Sequence, residues 1–585
     1  MNLSRREFLQ LLAVASAAGL NLAGTERAFG RGQDELYTLP PFGNVWLLHF
    51  TDCHGQLLPV WYREPSINLG VGGMQGRPPH LVGTYLLEYY QLPAGTPWAY
   101  AYTHLDFVEL ARKYGQVGGF AHLATLVKQL RKQRPGALLL DGGDTWGGGG
   151  PTALWTHAQD MVDAAVLLGV DVMTGHWEFI FGQDRVRAVL EKDFAGKNPW
   201  GHTIDFVAQN VHDVEWGERV FQPYVIREIN QVPVAVIGQA FPYTPIANPR
   251  YLIPDWSFGI KDDTLQEAVD SARNAGAQVV VVLSHNGMDV DLKMASRVAG
   301  IDAILGGHTH DGVPAPVAVN NRGGKTLVIN SGSHGKFLSV LDLEVKDGKV
   351  RGYRYKLLPV FANLLEPDVQ MSAHIEKVRA PFKEQLEEQL AVTEGLLYRR
   401  GNFNGTFDQV ILDALMAVQG ADIAFSPGVR WGVSVLPGEP VTFEHVMTLT
   451  ALTYPTVTLR DLTGEQIKGT LEDVADNLFN KDPYYQQGGD MVRVGGLKFS
   501  IDPTADIGHR IGDMDLKGKP LEANKKYRVA GWASVAEPLE GTAVWDVVAA
   551  YLRDIRTIKA KAPNVPKLKN MAENPGLARV ETTPI

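Results

Sequence analysis

The stretch Val45-Trp46-Leu47-Leu48-His49-Phe50-Thr51-Asp52-Cys53-His54-Gly55 decides the fold. Its short apolar run predicts a buried strand over Val45–Thr51, and that strand ends in two metal-ligand side chains, Asp52 and His54. The same grammar recurs four times. Ala137–Leu140 leads into Asp141-Gly142-Gly143-Asp144, Val170–Thr174 into Gly175-His176, Val279–Ser284 into His285, and Ala303–Leu305 into Gly306-Gly307-His308-Thr309-His310. Ligands just past the carboxyl ends of buried strands gather on one edge of an α/β sheet, where such sheets place their active sites. Two carboxylates with four or five imidazoles are too many for one ion and suit two, with one carboxylate bridging. The pattern is that of a dinuclear metallohydrolase.

Around these strands, helical spacing predicts helices over Gly119–Arg131, Gln159–Leu168 and Asp263–Ala275. Further β runs at Val232–Ile237, Thr326–Asn330 and Phe337–Val345 complete a layered α/β sandwich spanning residues 42–360. The interval Gln56–Val117, rich in Gly, Pro and Tyr, is expected to form an elaborated loop over the site edge. Charges at helical spacing between Pro359 and Arg400 predict a long solvated linker helix, assigned to residues 361–390. A second, smaller α+β domain follows over 391–585, with a helix at Asp408–Gln419.

A chain of 585 residues suits two large domains. A net charge of −10 without a basic stripe argues against nucleic acid as a partner. The single cysteine, Cys53, excludes an intrachain disulfide and is expected to be a small buried side chain beside the metals. Residues 1–30 read as a twin-arginine signal peptide: Ser4-Arg5-Arg6-Glu7-Phe8-Leu9, an apolar Leu11–Ala23 too short to span a bilayer, and a cleavage region at Ala28-Phe29-Gly30. That predicts a periplasmic protein exported folded, with no membrane anchor after cleavage.

The ordered series Asp-x-His-Gly, Gly-Asp, Gly-His-x-Glu-Phe, Ser-His and Gly-Gly-His-x-His resembles the 5′-nucleotidase branch of the calcineurin-like metallophosphoesterases. Gly118–Thr125, Ala421–Phe425 and Asp461–Gln466 support the likeness. The resemblance implies a four-layer α/β/β/α sandwich with a 5′-nucleotidase-type C-terminal substrate domain. It places Asp52, His54, Asp144 and His310 around one metal, and Asp144 as bridge with His176, His285 and His308 around the other. The likeness breaks at Gly175-His176-Trp177-Glu178-Phe179-Ile180, where nucleotidases read Gly-Asn-His-Glu-Phe-Asp. The ligand Asn becomes His176, and the His–Asp pair that protonates the departing alkoxide becomes Trp177 and Ile180.

An alkoxide needs protonation worth a factor of about 10²–10⁴. A thiol's reference pKa is about 8.5, so sulfur leaves with less help. Asp141–Trp146, Gly307–Pro314, Ser426–Gly432 and Gly488–Arg493 extend the resemblance to the SoxB thiosulfohydrolase family. This implies two Mn²⁺ ions and, as substrate, the SoxYZ carrier protein, whose C-terminal cysteine arm bears an S-thiosulfonate. The expected reaction releases sulfate through attack by a hydroxide held between the ions. Arg430 is the candidate anion clamp and Asp141 a candidate ligand-orienting group or strand-end cap. Arg399-Arg400 and Tyr484-Tyr485 are candidates for lining a cleft. The alternatives are a periplasmic 5′-nucleotidase or phosphodiesterase, which the departure of Glu540–Asp546 from the family's Gly-Gly-Asp-Gly-aromatic pattern weakens, and a carrier-docking module without turnover.

Overall fold

A computed structural model describes residues 34–536 and 538–579. The twin-arginine segment and the cleavage region lie outside the described residues. The chain forms two compact units. The first comprises residues 1–59, 116–147 and 156–378, and the second residues 60–115, 148–155 and 379–585.

The first unit holds two six-stranded sheets. In one, Val45–Phe50, Leu138–Asp141, Val172–Met173 and Asp205–Phe206 run parallel, and Phe337–Lys346 and Lys349–Pro359 close one edge antiparallel. In the other, Val232–Gln239, Val279–Ser284, Ala303–Gly306 and Gly324–Asn330 run parallel between antiparallel edge strands Tyr224–Ile229 and Val317–Asn321. Val279–Ser284 shows why such runs become central strands. All six residues are buried, and each of its four valines contributes about 1.5–3 kcal/mol relative to exposure. A run without alternation can satisfy that burial only where both faces are covered.

The helices Phe120–Gln133, Gln159–Leu168 and Asp262–Asn274 lie within a residue or two of the sequence expectation. Arg134, at the end of the first, is fully buried and makes a two-pronged pair with Asp342, 2.8 Å and 2.9 Å, fixing the helix end to the strand Phe337–Lys346.

Two expectations are corrected. The segment 60–115 is not one loop: it carries helices Thr84–Tyr90, Pro97–Tyr102 and Phe107–Tyr114 and clusters with the second unit. Its tyrosines Tyr62, Tyr90, Tyr100 and Tyr102 are buried, so aromatic packing holds helices too short for a visible 3.6-residue period. The long linker helix is also interrupted. It runs from Val369 to Arg379, gives way to a tight turn at Ala380–Phe382 around Pro381, and resumes for one turn at Lys383–Leu386.

The second unit is α+β. Its four-stranded sheet sets Ile423–Ser426 between Lys526–Trp532 and Arg493–Gly495, with Val457–Thr463 outermost. Helices Thr406–Gln419, Gly464–Phe479 and Val544–Ile555 are its longest. The chain thus divides by packing rather than by sequence order, because 60–115 and 148–155 fold with the C-terminal part.

Candidate metal centre

The seven predicted ligands come together. Asp52, His54, Asp144 and His176 follow strands of the first sheet, and His285, His308 and His310 follow strands of the second. All are buried. They form two groups of four, Asp52 with His54, Asp144 and His310, and Asp144 with His176, His285 and His308. Within each group one ligand atom per residue lies within 4.8 Å of every other. Donors about 2.1 Å from a common ion are at most about 4.2 Å apart, so each group is close to ligating geometry.

Asp144 belongs to both groups. Its Oδ2 is 2.9 Å from His285 Nε2 and 3.7 Å from His54 Nε2, and its Oδ1 is 3.2 Å from His176 Nδ1. Asp52 Oδ1 lies 3.2 Å from His310 Nε2. His54 Nε2 faces His310 Nε2 at 2.9 Å. Two imidazole nitrogens this close, with carboxylates around them, suit lone pairs sharing a cation.

The surroundings fix which nitrogen is offered. His54 Nδ1 donates to the Gly147 carbonyl at 2.9 Å, and His285 Nδ1 donates to the Gly142 carbonyl at 2.6 Å. Each turns its Nε2 inward, the usual outer-shell arrangement of metal-binding histidine. Burial alone depresses His285, but the carboxylates of Asp144 and Asp52 push it up to about 10. Burial raises Asp144, and the charges of His176 and His285 overcome this and hold it well below the ordinary carboxylate range. Burial lowers His54 to about 4 and lowers His176 as well, so neutral imidazoles and an ionised Asp144 meet here, a donor set that suits divalent cations. The residues present fit a two-cation centre.

The backbone is bent to this purpose. Asp52, His54, Asp144, His308 and His310 all have φ between 50° and 70°. Non-glycine residues there are uncommon and cost about 1–3 kcal/mol each, a cost met at functional sites. Glycines pack the space between: a Cβ on Gly307 would lie 2.4 Å from Thr51 Oγ1 and 2.9 Å from Asp52 Oδ2.

Comparison with known proteins gives the family. The 5′-nucleotidase, C-terminal domain model matches residues 390–546. The structure of Thermus thermophilus sulfate thiohydrolase SoxB, solved in complex with glycerol, superposes with a TM-score of 0.85 at 37% identity, covering 91% of this chain and 98% of that one. The chain belongs to the SoxB family. With it, the chain is a hydrolase of the 5′-nucleotidase branch of the calcineurin-like metallophosphoesterases. Protein UshA of Yersinia enterocolitica is 25% identical over 469 residues, 70% of this chain and 80% of its own. A 5′-nucleotidase precursor from Thermus thermophilus shares the fold, with a TM-score of 0.70 at 20% identity over 90% of this chain and 99% of that one.

Several groups around this SoxB-family centre escaped the sequence reading. Glu178 is a backbone clamp: its carboxylate accepts from the N–H groups of Asp144 at 3.2 Å, Thr145 at 2.8 Å, Trp146 at 3.2 Å and His176 at 2.8 Å. One side chain thereby ties two ligand loops together. His334 is buried, has φ 59°, donates its N–H to the Asp52 carbonyl at 2.8 Å, and sets its ring 5.9 Å from that of His54 and 6.1 Å from that of His310. It follows the strand Gly324–Asn330, so the strand-then-ligand grammar extends to it.

Asp141 accepts from Gly143 N at 3.0 Å and Thr145 Oγ1 at 2.7 Å, shaping the loop that presents Asp144. Cys53 is buried, and burial pushes its thiol well up, away from thiolate chemistry. Trp177 donates its N–H to Asp144 Oδ1 at 2.7 Å.

Arg430 lies in the second unit, where it donates to the Gly489 carbonyl at 2.6 Å and to Asp490 Oδ1 at 3.4 Å. Arg399 and Arg400 are both buried rather than exposed at a cleft, Arg399 being paired with Asp408 at 2.7 Å. Tyr485 is 63% exposed.

Proposed function

We propose that this chain is a periplasmic thiosulfohydrolase that removes the terminal sulfonate from a cysteine S-thiosulfonate on the SoxYZ carrier protein. Water adds to the sulfonate sulfur, the sulfur–sulfur bond breaks, sulfate departs with the new oxygen, and the bond's electron pair remains on the cysteine-bound persulfide. The observation that carries this reading is a full two-cation ligand set with Trp177 and Ile180, both buried, where a nucleotidase keeps its proton-donating pair. A sulfur leaving group, with a reference pKa of about 8.5 for a thiol, departs without that donor.

Asp52, His54, Asp144 and His310 would hold one cation, and Asp144, His176, His285 and His308 the other. Two divalent ions there, Mn²⁺ by the resemblance, would lower the pKa of a water and neutralise sulfonate oxygens. The chain's own part is positional. Glu178 and Trp177 N–H hold the loop and the carboxylate of Asp144, and Asp52 accepts from the His308 N–H at 3.0 Å, so the ligands are fixed before substrate arrives. Arg430 is the proposed oxyanion clamp of the substrate domain, since a guanidinium presents paired donors to such groups. Twin-arginine export would deliver the folded protein already loaded with metal, and among the described residues no helix is long and apolar enough to cross a membrane.

The deciding experiment measures sulfate released from thiosulfonate-loaded carrier against phosphate released from AMP, on protein purified from its native compartment with its metals counted. Sulfate release is expected. Turnover of AMP alone would give the site to nucleotide chemistry, and no turnover with two ions bound would leave a docking role.

A further inference from the structure

His49 belongs to the strand Val45–Phe50 of the first sheet, three residues ahead of Asp52, and is buried. Its Nδ1 lies 2.6 Å from Ser331 Oγ, just past the strand Gly324–Asn330 of the other sheet. The chain of bonds continues from Ser331 Oγ to Ser339 Oγ at 2.7 Å and from Ser339 Oγ to the Tyr355 hydroxyl at 2.8 Å. That hydroxyl donates to the Val313 carbonyl at 3.3 Å. All four side chains are buried.

The far end sets the direction. Each hydroxyl has one hydrogen, so Tyr355, donating to Val313, accepts from Ser339, Ser339 accepts from Ser331, and Ser331 accepts from His49 Nδ1–H. Burial, then the charge of His285, holds the His49 ring down at about 3, so it is neutral and has that single N–H to give. Its Nε2 finds no hydrogen-bond partner among the described residues. A buried polar atom left unpaired costs more than one buried hydrogen bond returns. An apolar side chain would therefore suit this position better, unless the Nδ1 bond does something beyond holding the core together.

The ends of the chain of bonds show what that is. His49 stands three residues before Asp52, and Val313 stands three residues after His310. Ser339 lies opposite His49 in the first sheet, and Tyr355 is in the next strand. Val313 N–H donates to the Asn330 carbonyl at 3.2 Å and Gly312 bridges to Ser331, so Val313 and Ser331 go with the second sheet. The bonds thus cross between the sheets three times, at His49–Ser331, Ser331–Ser339 and Tyr355–Val313. The first cation site depends on the same separation, since Asp52 Oδ1 of one sheet lies 3.2 Å from His310 Nε2 of the other. His176 and His285, which serve only the second site, follow strands farther along each sheet.

We infer that His49 is a positioning residue of the first cation site: through Ser331, Ser339 and Tyr355 it fixes the sheet separation at which Asp52 and His54 meet His310. Such a role governs metal affinity and does not depend on which substrate the centre serves.

The test titrates Mn²⁺ into full-length protein stripped of metal and counts the free ion by its EPR signal, so no turnover is involved. His49→Leu is expected to weaken one of the two sites about tenfold, the lower end of what a change behind a metal ligand costs, and to leave the other within about twofold. His49→Asn, whose amide reaches the place of Nδ1, is expected to restore the weakened site. Tyr355→Phe removes only the last bond and is expected to weaken the same site about threefold. His310→Ala, which disables the first site, identifies it: adding His49→Leu to that variant should change nothing further. Equal weakening of both sites, no weakening in His49→Leu and Tyr355→Phe, no rescue by His49→Asn, or a further loss in the double variant would overturn the assignment. If His49→Leu does not fold, Tyr355→Phe, alone and with His310→Ala, decides by the same comparison.

Discussion

The two halves of the metal centre are built by different means. In the group Asp52, His54, Asp144 and His310, all four residues have left-handed backbones, φ 50° to 58°. In the group Asp144, His176, His285 and His308, His176 sits at φ −153° and His285 is absent from the left-handed residues. His285 is placed by bonds instead. Its N–H donates to the Gln239 carbonyl at 2.8 Å, and the residues flanking it, Ser284 and Asn286, both donate to Asp291 Oδ1, at 2.7 Å and 3.1 Å. The first half is aimed throughout by bent backbone; the second uses it only at Asp144 and at His308, φ 70°, and relies at His285 on a buried polar network. The first is hard to loosen without moving the chain, whereas the second can be loosened one hydrogen bond at a time.

Asp144 is where the difference disappears, because it serves both halves. Asp144→Asn is expected to give the largest effect: both ions lost on metal analysis and sulfate release reduced by more than about 10³-fold. Retention of even one ion at full occupancy would show that Asp144 does not bridge. His176→Ala separates the halves. It should leave one ion per chain instead of two, with affinity at the vacated site down by at least about 100-fold. Two tightly held ions in that variant would remove His176 from the ligand set.

The sequence announced this centre well and its supports poorly. Ligands that follow short, largely apolar strands are legible because a buried apolar run has few alternatives, and an Asp or His at its end must be compensated. All seven carry that mark. Glu178 carries none, since a carboxylate accepting four backbone N–H groups depends on the turn of two loops that composition does not reveal. His334 did carry the mark, four residues past the strand ending at Asn330, but the intervening Ser331-Gly332-Ser333-His334 reads as an ordinary polar turn. The helices within 60–115 were hidden for a third reason. At six to eight residues they span only about two hydrophobic repeats, and in the first two tyrosine, polar by one atom, takes some of the buried positions.

The polar network of the second half predicts a pH signature. Asp291 is fully buried, and burial pushes its carboxyl up to about 7 despite the bonds from Ser284 and Asn286. A folded value above the unfolded one means that the native state holds the proton more tightly. The associated stability is complete below about 4 and is lost as the pH rises through about 7. A shift of this size corresponds to no more than about 4 kcal/mol. Urea denaturation at pH 4.5 and pH 7.5 should therefore show a falling stability that Asp291→Asn flattens. An identical slope in that variant would mean that Asp291 is not the group responsible.

The smallest expected effect probes the bent half directly. His334 stands beside His54 and His310 at φ 59°, held by its bond to the Asp52 carbonyl. There a Cβ opposes the conformation and glycine does not, so His334→Gly should be more stable than His334→Ala by about 1 kcal/mol. At Asn286, beside His285 and outside the left-handed set, the order should reverse, with Ala above Gly by about 0.5–1 kcal/mol. Equilibrium unfolding of the four variants reads both differences from the same measurement. If Ala exceeds Gly at both positions, backbone strain does not distinguish the halves, and the first half, like the second, is held by its hydrogen bonds.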